Sequence, residues 1–278
     1  MRVYLSVDME GIGGVSHPAP TDPNDARYPT SVALMIGETN AAVEGALAAG
    51  ATDILVNDSH WSMTNLLPED VHRAARLLQG KKAWSMVAGA QPADDGAPAF
   101  DVALFVGYHG RAGHPRGTIA HTYSGKPVET RLAGRPTGEY GLNALVLGAW
   151  GIPVGLVTGD DALAEEVETW LPWTDRVVVK AADGTHSATS LLPATARTLV
   201  REGAERAVRR AAAGELRRLD VGRPVVIEVD YARGVEADHG AIVPGAERVG
   251  DRTVRFAHDD AVAAYRGFLA IDRLAGAL

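Results

Sequence analysis

Residues 3–11 run Val3-Tyr4-Leu5-Ser6-Val7-Asp8-Met9-Glu10-Gly11. The first five are short-range apolar apart from Ser6, and are rich in β-branched and aromatic side chains. Two acids and a glycine follow. That is the pattern of a buried strand ending in a tight polar turn. The pattern recurs at 52–57, 101–107, 153–158 and 176–180, which read as four further strands. Helical periods lie between them. Val32, Met35, Ile36, Ala42, Val43, Ala46 and Leu47 share one stripe of a helix over 31–49, closed by Gly50. Further helices are predicted over 138–150 and 162–171. Strands alternating with helices predict an α/β fold, a mostly parallel sheet flanked by helices. Right-handed crossovers then bring every strand's C-terminal end to one edge, where such sheets bind ligands.

Past residue 185 the pattern changes. A long Arg/Ala/Glu helix over 193–213, strands over 223–229 and 253–256, and a closing amphipathic helix over 260–275 suggest a second, smaller α+β domain. The expected organisation is an α/β metal-binding catalytic domain over 1–185 and the smaller domain over 186–278. Residues 108–137 show no clear period, and a loop of that length in a compact domain is usually functional.

The 278 residues suit one large or two modest domains. A net charge of −8 disfavours nucleic acid and anionic lipid as partners. The sequence has no cysteine, so a metal here must be held by histidine nitrogen and carboxylate oxygen. It also suits a reducing compartment. No export signal pattern opens the sequence and no apolar run approaches the ~20 residues of a membrane span. The expected location is the cytoplasm, with no membrane contact.

Polar groups follow each strand: Asp8 and Glu10, then Asn57-Asp58-Ser59-His60, then Tyr108-His109, then Gly159-Asp160-Asp161. Each has a bland reading. Asp8 and Glu10 could form a solvated turn, 57–60 and Asp160-Asp161 could cap helices, and His109 could be a hydrogen-bonded core residue. Glu139 could be a favourable charge at a helix N-terminus. Gathered on one sheet edge, they form a metal-competent set. Asp8 and Glu10 are two apart and point the same way in extended chain, and neighbouring carboxylates repel unless a cation or proton separates them. His121 and His114 lie in the long loop, His114 beside Pro115 and Gly117 as in a surface turn. His17, His72, His186, His239 and His258 have no partner pattern. Gly11, Gly13 and Gly14 lack the third glycine of a dinucleotide loop, since Ser16 stands there, which argues against a nicotinamide cofactor.

Ser6-Val7-Asp8-Met9-Glu10-Gly11 resembles the S-x-D-x-E-G signature of the D-aminopeptidase family, zinc peptidases once labelled dipeptide transport proteins. Val56-Asn57-Asp58-Ser59-His60, Val106-Gly107-Tyr108-His109 and Gly138-Glu139-Tyr140-Gly141-Leu142-Asn143-Ala144 resemble the later blocks of that family, in order and at similar spacing. The likeness is strong to about Asp161 and thin beyond. It implies two zinc ions, with Asp8 bridging them and Glu10, His60, His109 and Glu139 completing the ligand set. His121 matches the family's catalytic histidine, described there as a nucleophile. The family's architecture implies a homodecamer with sites facing an internal channel. Thr122-Tyr123 departs from a Ser-rich version of that segment, which touches substrate preference more than metal binding.

The expected function is therefore a dinuclear zinc aminopeptidase hydrolysing short peptides with N-terminal D-residues. Paired metals activate water and polarise a carbonyl, so a separate nucleophile is unnecessary. His121 then stabilises the oxyanion or protonates the leaving amine. The alternatives are another dimetal amidohydrolase or a phosphoesterase, for which Arg111 and Arg116 are the available loop clamps, and a non-catalytic dipeptide-binding protein.

Overall fold

The opening strand is β1 (Arg2–Val7), and in the computed structural model, which describes residues 1–277, it lies inside a seven-stranded sheet. The chain continues through α1 (Tyr28–Ala48), β2 (Asp53–Asp58), β3 (Ala75–Leu78) and β4 (Val102–Val106). Next come β5 (Pro127–Leu132), β6 (Arg135–Pro136), α2 (Glu139–Ala149), β7 (Val154–Asp160), α3 (Asp161–Trp170), β8 (Asp175–Gly184) and β9 (Ser187–Ser190). It ends with α4 (Pro193–Ala212), β10 (Val225–Tyr231), α5 (Gly234–Gly240), β11 (Ala246–Arg248), β12 (Thr253–His258) and α6 (Ala261–Ala275).

The seven-stranded sheet has the order β3-β2-β1-β4-β7-β8-β9. All its pairings are parallel except β8 with β9. The predicted α/β architecture, a mostly parallel sheet flanked by helices with a second α+β layer, is the one observed. β1 and β4 are apolar throughout because helices or loops cover both faces. Val3, Leu5 and Val7 pack with α1 and α4, while Tyr4 points the other way into a core shared with α2, α3 and α6. Side-chain alternation along one strand thus feeds two cores.

The second sheet is antiparallel, in the order β11-β12-β10-β5-β6. On β10, Val225, Ile227, Val229 and Tyr231 are buried and the intervening residues are not, as a one-sided sheet requires. Asp260 caps α6 by accepting from the amides of Val262 and Ala263. Tyr265, Phe268, Leu269 and Ile271 fill the buried side of that helix.

The two sheets interleave along the chain. β5 and β6, from residues 127–136, belong to the second sheet, whereas β9 and α4, from 187–212, pack with the first. A division at residue 185 therefore does not separate the two sheets. The strands absent from the sequence reading are short edge or hairpin pieces, which carry little periodic signal. Among the described residues no helix is long and apolar enough to cross a membrane.

The chain runs outward from β1 through β2 to β3 and then returns to place β4 on the other side of β1. The crevice between the C-terminal ends of β1 and β4 is the topological switch point, where open α/β sheets bind ligands. Asp8 follows β1 and His109 follows β4, so both stand at this crevice. The turn there is close-packed. The Gly11 amide donates to the Gly107 carbonyl at 2.8 Å, and a Cβ on Gly11 would lie 1.8 Å from the Tyr108 carbonyl oxygen. Gly107 has φ +71°, and a Cβ there would sit 2.2 Å from the Asp8 carbonyl oxygen. Gly11→Ala should therefore destabilise the fold by about 1–3 kcal/mol or more, as overpacking against rigid backbone does. Thermal denaturation checks this; an unchanged melting temperature would show that the two turns are not in contact.

Candidate metal centre

Asp8, Glu10, His60, His109 and Glu139 are all buried, each 5 % exposed or less. They come from the ends of β1, β2 and β4 and from the first turn of α2. The structure brings all five together, and His121 joins them from the long loop. Asp8 Oδ1 lies 3.2 Å from His60 Nδ1, and Asp8 Oδ2 lies 3.4 Å from His109 Nε2. Glu10 Oε2 is 3.0 Å from His60 Nδ1. Glu139 Oε2 is 3.6 Å from His109 Nε2, and its Oε1 is 3.8 Å from His121 Nε2. The rings of His109 and His121 stack with centroids 4.2 Å apart.

Each imidazole commits one ring nitrogen to a backbone carbonyl. His60 Nε2 lies 3.1 Å from the Thr21 oxygen, His109 Nδ1 2.9 Å from the Gly110 oxygen, and His121 Nδ1 2.9 Å from the Ile119 oxygen. Donation there turns the other nitrogen toward the carboxylates and fixes the tautomer suited to a metal ligand. One potential ligand atom each from Asp8, Glu10 and His109 lies within 4.8 Å of the others, and the same holds for His109, His121 and Glu139. Glu10 Oε2 and His109 Nε2 are buried without a well-directed hydrogen bond. Orphaned donor atoms of this kind, in an all nitrogen-and-oxygen set, fit a pair of divalent cations.

Without a cation the cluster has to neutralise itself with protons. Burial alone would lower the pKa of His60 and His109, but the surrounding carboxylates prevail and hold both well above the ordinary imidazole value. Burial pushes Asp8 up, and the hydrogen bonds from His109 and His60 outweigh it, leaving Asp8 well below the usual carboxylate range. Glu139 is lowered in the same way, mainly by His109 working against burial.

A buried polar floor holds these residues. Ser6 Oγ is 2.8 Å from Ser59 Oγ and 2.6 Å from the Tyr108 hydroxyl, which accepts from Asn143 Nδ2 at 3.0 Å. The Tyr123 amide donates to Glu139 Oε1 at 2.6 Å. Lys180, at the end of the buried part of β8, is 1 % exposed and donates through Nζ to the carbonyls of Glu10, Ile12 and Val15, setting the loop that carries Glu10. Neither Tyr123 nor Lys180 was evident from sequence. A lysine closing the run Val177-Val178-Val179 was the available signal, because it falls on the same sheet edge as the other polar groups.

The remaining sequence candidates lie elsewhere. Asp160 does cap α3, accepting from the Leu163 amide at 2.8 Å, but it also takes the Thr118 amide at 2.8 Å and so anchors the long loop. Asp161 is not a cap; it accepts from the Ala182 amide and pairs with Arg116 at 2.7 Å. His114 Nδ1 accepts from the Gly117 amide within its turn. Asn57–His60 is not a helix cap, since no helix follows. Asp58 instead accepts the Leu66 amide at 2.8 Å. Arg111 pairs with Glu166 at 3.3 Å and Arg116 also pairs with Glu165, so neither clamps a ligand at the cluster. No Arg or Lys lines the cavity of about 670 Å³ onto which Asp8, Glu10, His60, His121 and Glu139 open.

Fold and donor set together have the make-up of an α/β metalloenzyme with its centre at the sheet's switch point. The chain belongs to the D-aminopeptidase family, whose model matches residues 1–270. A D-aminopeptidase of Bacillus subtilis (strain 168) is 35 % identical over 283 residues, covering 99 % of this chain and 98 % of the relative. The solved structure of the zinc-dependent D-aminopeptidase DppA from Bacillus subtilis, described as a self-compartmentalizing protease, superposes with a TM-score of 0.93. It is 34 % identical, and the match covers 100 % of this chain and 99 % of that one.

The raised histidines set a pH dependence for metal-stripped protein. A histidine that binds its proton more tightly when folded stabilises the fold below its ordinary value near 6.5 and loses that contribution as the pH rises through the folded value. Asp8 acts in the opposite sense: its contribution is present above the ordinary carboxylate value near 3.9 and is lost as the pH falls. The melting temperature of chelator-treated protein should therefore fall as the pH rises from about 6.5. Added divalent metal should abolish that fall. A chelated protein whose stability is flat from pH 6 to 9 would refute the protonated cluster.

Proposed function

We propose that the protein is a zinc aminopeptidase that removes N-terminal residues, D-residues in particular, from short peptides. It uses two zinc ions per subunit, held by Asp8, Glu10, His60, His109 and Glu139. The observation that carries this reading is the placing of Asp8, whose two oxygens face two different histidines, His60 at 3.2 Å and His109 at 3.4 Å. One carboxylate can thus serve two cations. Asp8, Glu10 and His60 would hold one ion, and Asp8, His109 and Glu139 the other. Five protein groups cannot close two four-coordinate shells even with Asp8 shared, which leaves room for water and substrate.

Bound zinc supplies a Lewis acid and lowers the pKa of coordinated water toward ~7. The chain itself supplies shape and proton handling. The cavity, about 670 Å³ and walled by Trp61, Met86, Ile119 and Tyr123, has the size of a small-ligand site. His121 fronts it with its side chain 28 % exposed. Its Nδ1–H is held by the Ile119 carbonyl, so Nε2 is the working atom. Nε2 collects the proton given up by the attacking water and hands it to the nitrogen of the leaving amine, so that the peptide C–N bond breaks to a free amine. Direct attack by His121 on the carbonyl is the competing role, and an acyl–imidazole adduct trapped by mass spectrometry would establish it.

A ring of ten subunits working in the cytoplasm completes the proposal. The relative described as self-compartmentalizing and the cysteine-free sequence support it. Light scattering on the intact protein should return a ten-subunit mass; a monomer or dimer would overturn the ring.

His60→Ala and Glu139→Gln should each bind less zinc and lose at least about 100-fold in kcat/KM, more than loss of an outer-shell partner costs, with circular dichroism unchanged. His121→Ala should keep its zinc and lose about 10²–10⁴-fold in kcat. A panel of D-Ala peptides, L-Ala peptides and nitrophenyl phosphate tests the chemistry. Turnover of the phosphate ester alone would reassign the enzyme as a phosphoesterase.

A further inference from the structure

We propose that a basic recess adjoining the metal cavity, formed by Lys81, Lys82 and Arg273, binds the C-terminal carboxylate of the peptide. It would thereby select short peptides with a free C-terminus. The inference rests on the aminopeptidase reading and specifies which end of the substrate is recognised away from the scissile bond.

The recess has a volume of about 470 Å³ and shares four lining residues, Trp61, Met63, Ser85 and Tyr123, with the cavity that holds the acidic cluster. The two spaces are therefore continuous. All four shared residues have positive φ, at 50°, 60°, 51° and 60° in that order. Such backbone costs about 1–3 kcal/mol per residue and persists where the surrounding structure imposes it, typically at functional sites. Among the described residues only two other non-glycine residues share it, and one of them, Ile119, also lines the metal cavity.

Charge separates the two ends. The metal cavity presents Asp8, Glu10 and Glu139, whereas the recess presents two lysines and an arginine. In a chain of net charge −8, none of these three cations forms an ion pair among the described residues. The acid in the recess, Asp272, is 8 % exposed and accepts from Ser124 Oγ at 2.7 Å. Arg273 donates to the carbonyls of Lys82 at 3.2 Å and Ala83 at 3.0 Å, which fixes the segment carrying both lysines to α6.

Reach fits a short peptide. Lys82 Nζ donates to the Asp58 carbonyl at 2.8 Å, two residues before His60. Two residues of extended chain span at most about 7 Å, which is also the length of a dipeptide. A peptide whose first residue sits at the cluster would place its carboxylate beside the lysine, where a charge-assisted hydrogen bond forms.

The test compares kcat/KM of the zinc-loaded full-length protein for D-Ala-D-Ala and for its C-terminal amide. Wild type should favour the free acid by at least about tenfold, chiefly through KM, as loss of a hydrogen bond to a charged group implies. Lys82→Gln and Arg273→Gln should each shrink the acid-to-amide ratio, and the double variant should bring it to about 1, which is the loss of that same charged hydrogen bond. Equal turnover of acid and amide by wild type would overturn the inference. So would variants that slow both substrates alike and keep the wild-type ratio, which is the signature of a merely structural role. If wild type cleaves neither, the aminopeptidase reading itself fails and the recess loses its substrate, an outcome distinct from cleavage without discrimination.

Discussion

Three buried carboxylates crowded into one crevice, those of Asp8, Glu10 and Glu139, are the constraint on which the rest of the molecule depends. Burying a lone charge is costly, and burying like charges together is more so unless something positive lies between them. The fold meets this by placing the acids where positive groups converge. Two histidines share the oxygens of Asp8, the Tyr123 amide caps Glu139, and Lys180 binds the carbonyls of the loop carrying Glu10. Such an arrangement gains little as a structural element, because apolar packing of the same volume would stabilise a core better. It makes sense as a ligand cage whose missing charge is supplied from outside.

Much of this was legible in the sequence because the parallel sheet imposes a simple rule. Val3–Val7, Ile54–Val56 and Val102–Val106 are apolar through and through, so the strands stood out, and the polar residues after them had to share an edge. All six residues singled out from sequence converge, and the fold class follows from the same strands. What was hidden has physical causes. β3, β6, β9 and β11 are two to four residues long, too short to carry a period. β5 lies inside the loop that looked aperiodic, and pairs with β10 about 100 residues further on. A local pattern cannot announce a partner that distant, which is why the two sheets looked like consecutive domains and proved to be interleaved.

The orienting groups were hidden for a different reason: they act through the backbone. The carbonyls of Thr21, Gly110 and Ile119 set the three imidazoles, and any side chain at those positions would present the same oxygen. Ile119 is informative because a β-branched residue at φ +54° is held against its own preference. Its amide donates to the Thr185 carbonyl at 2.8 Å, and the preceding Thr118 amide donates to Asp160. These two anchors pin the strained residue, and the strained residue in turn aims His121.

The interleaving acquires a purpose at the other end of that loop. Ser124 Oγ donates to Asp272, and the Tyr123 hydroxyl lies 2.5 Å from Asn143 Oδ1 and 2.6 Å from the Tyr265 hydroxyl. Asp272 and Tyr265 belong to α6, the last helix of the chain. The segment carrying His121 is therefore clamped between the parallel sheet, through Asp160 and Thr185, and the C-terminal layer, through α6. A histidine on a free loop of this length would sample many orientations, and fixing even one residue costs about 1–2 kcal/mol of backbone entropy. By drawing β5 out of that loop into the second sheet, the fold meets that cost in folding rather than at each turnover. The C-terminal layer is on this view part of the active centre, although none of the candidate metal ligands comes from it.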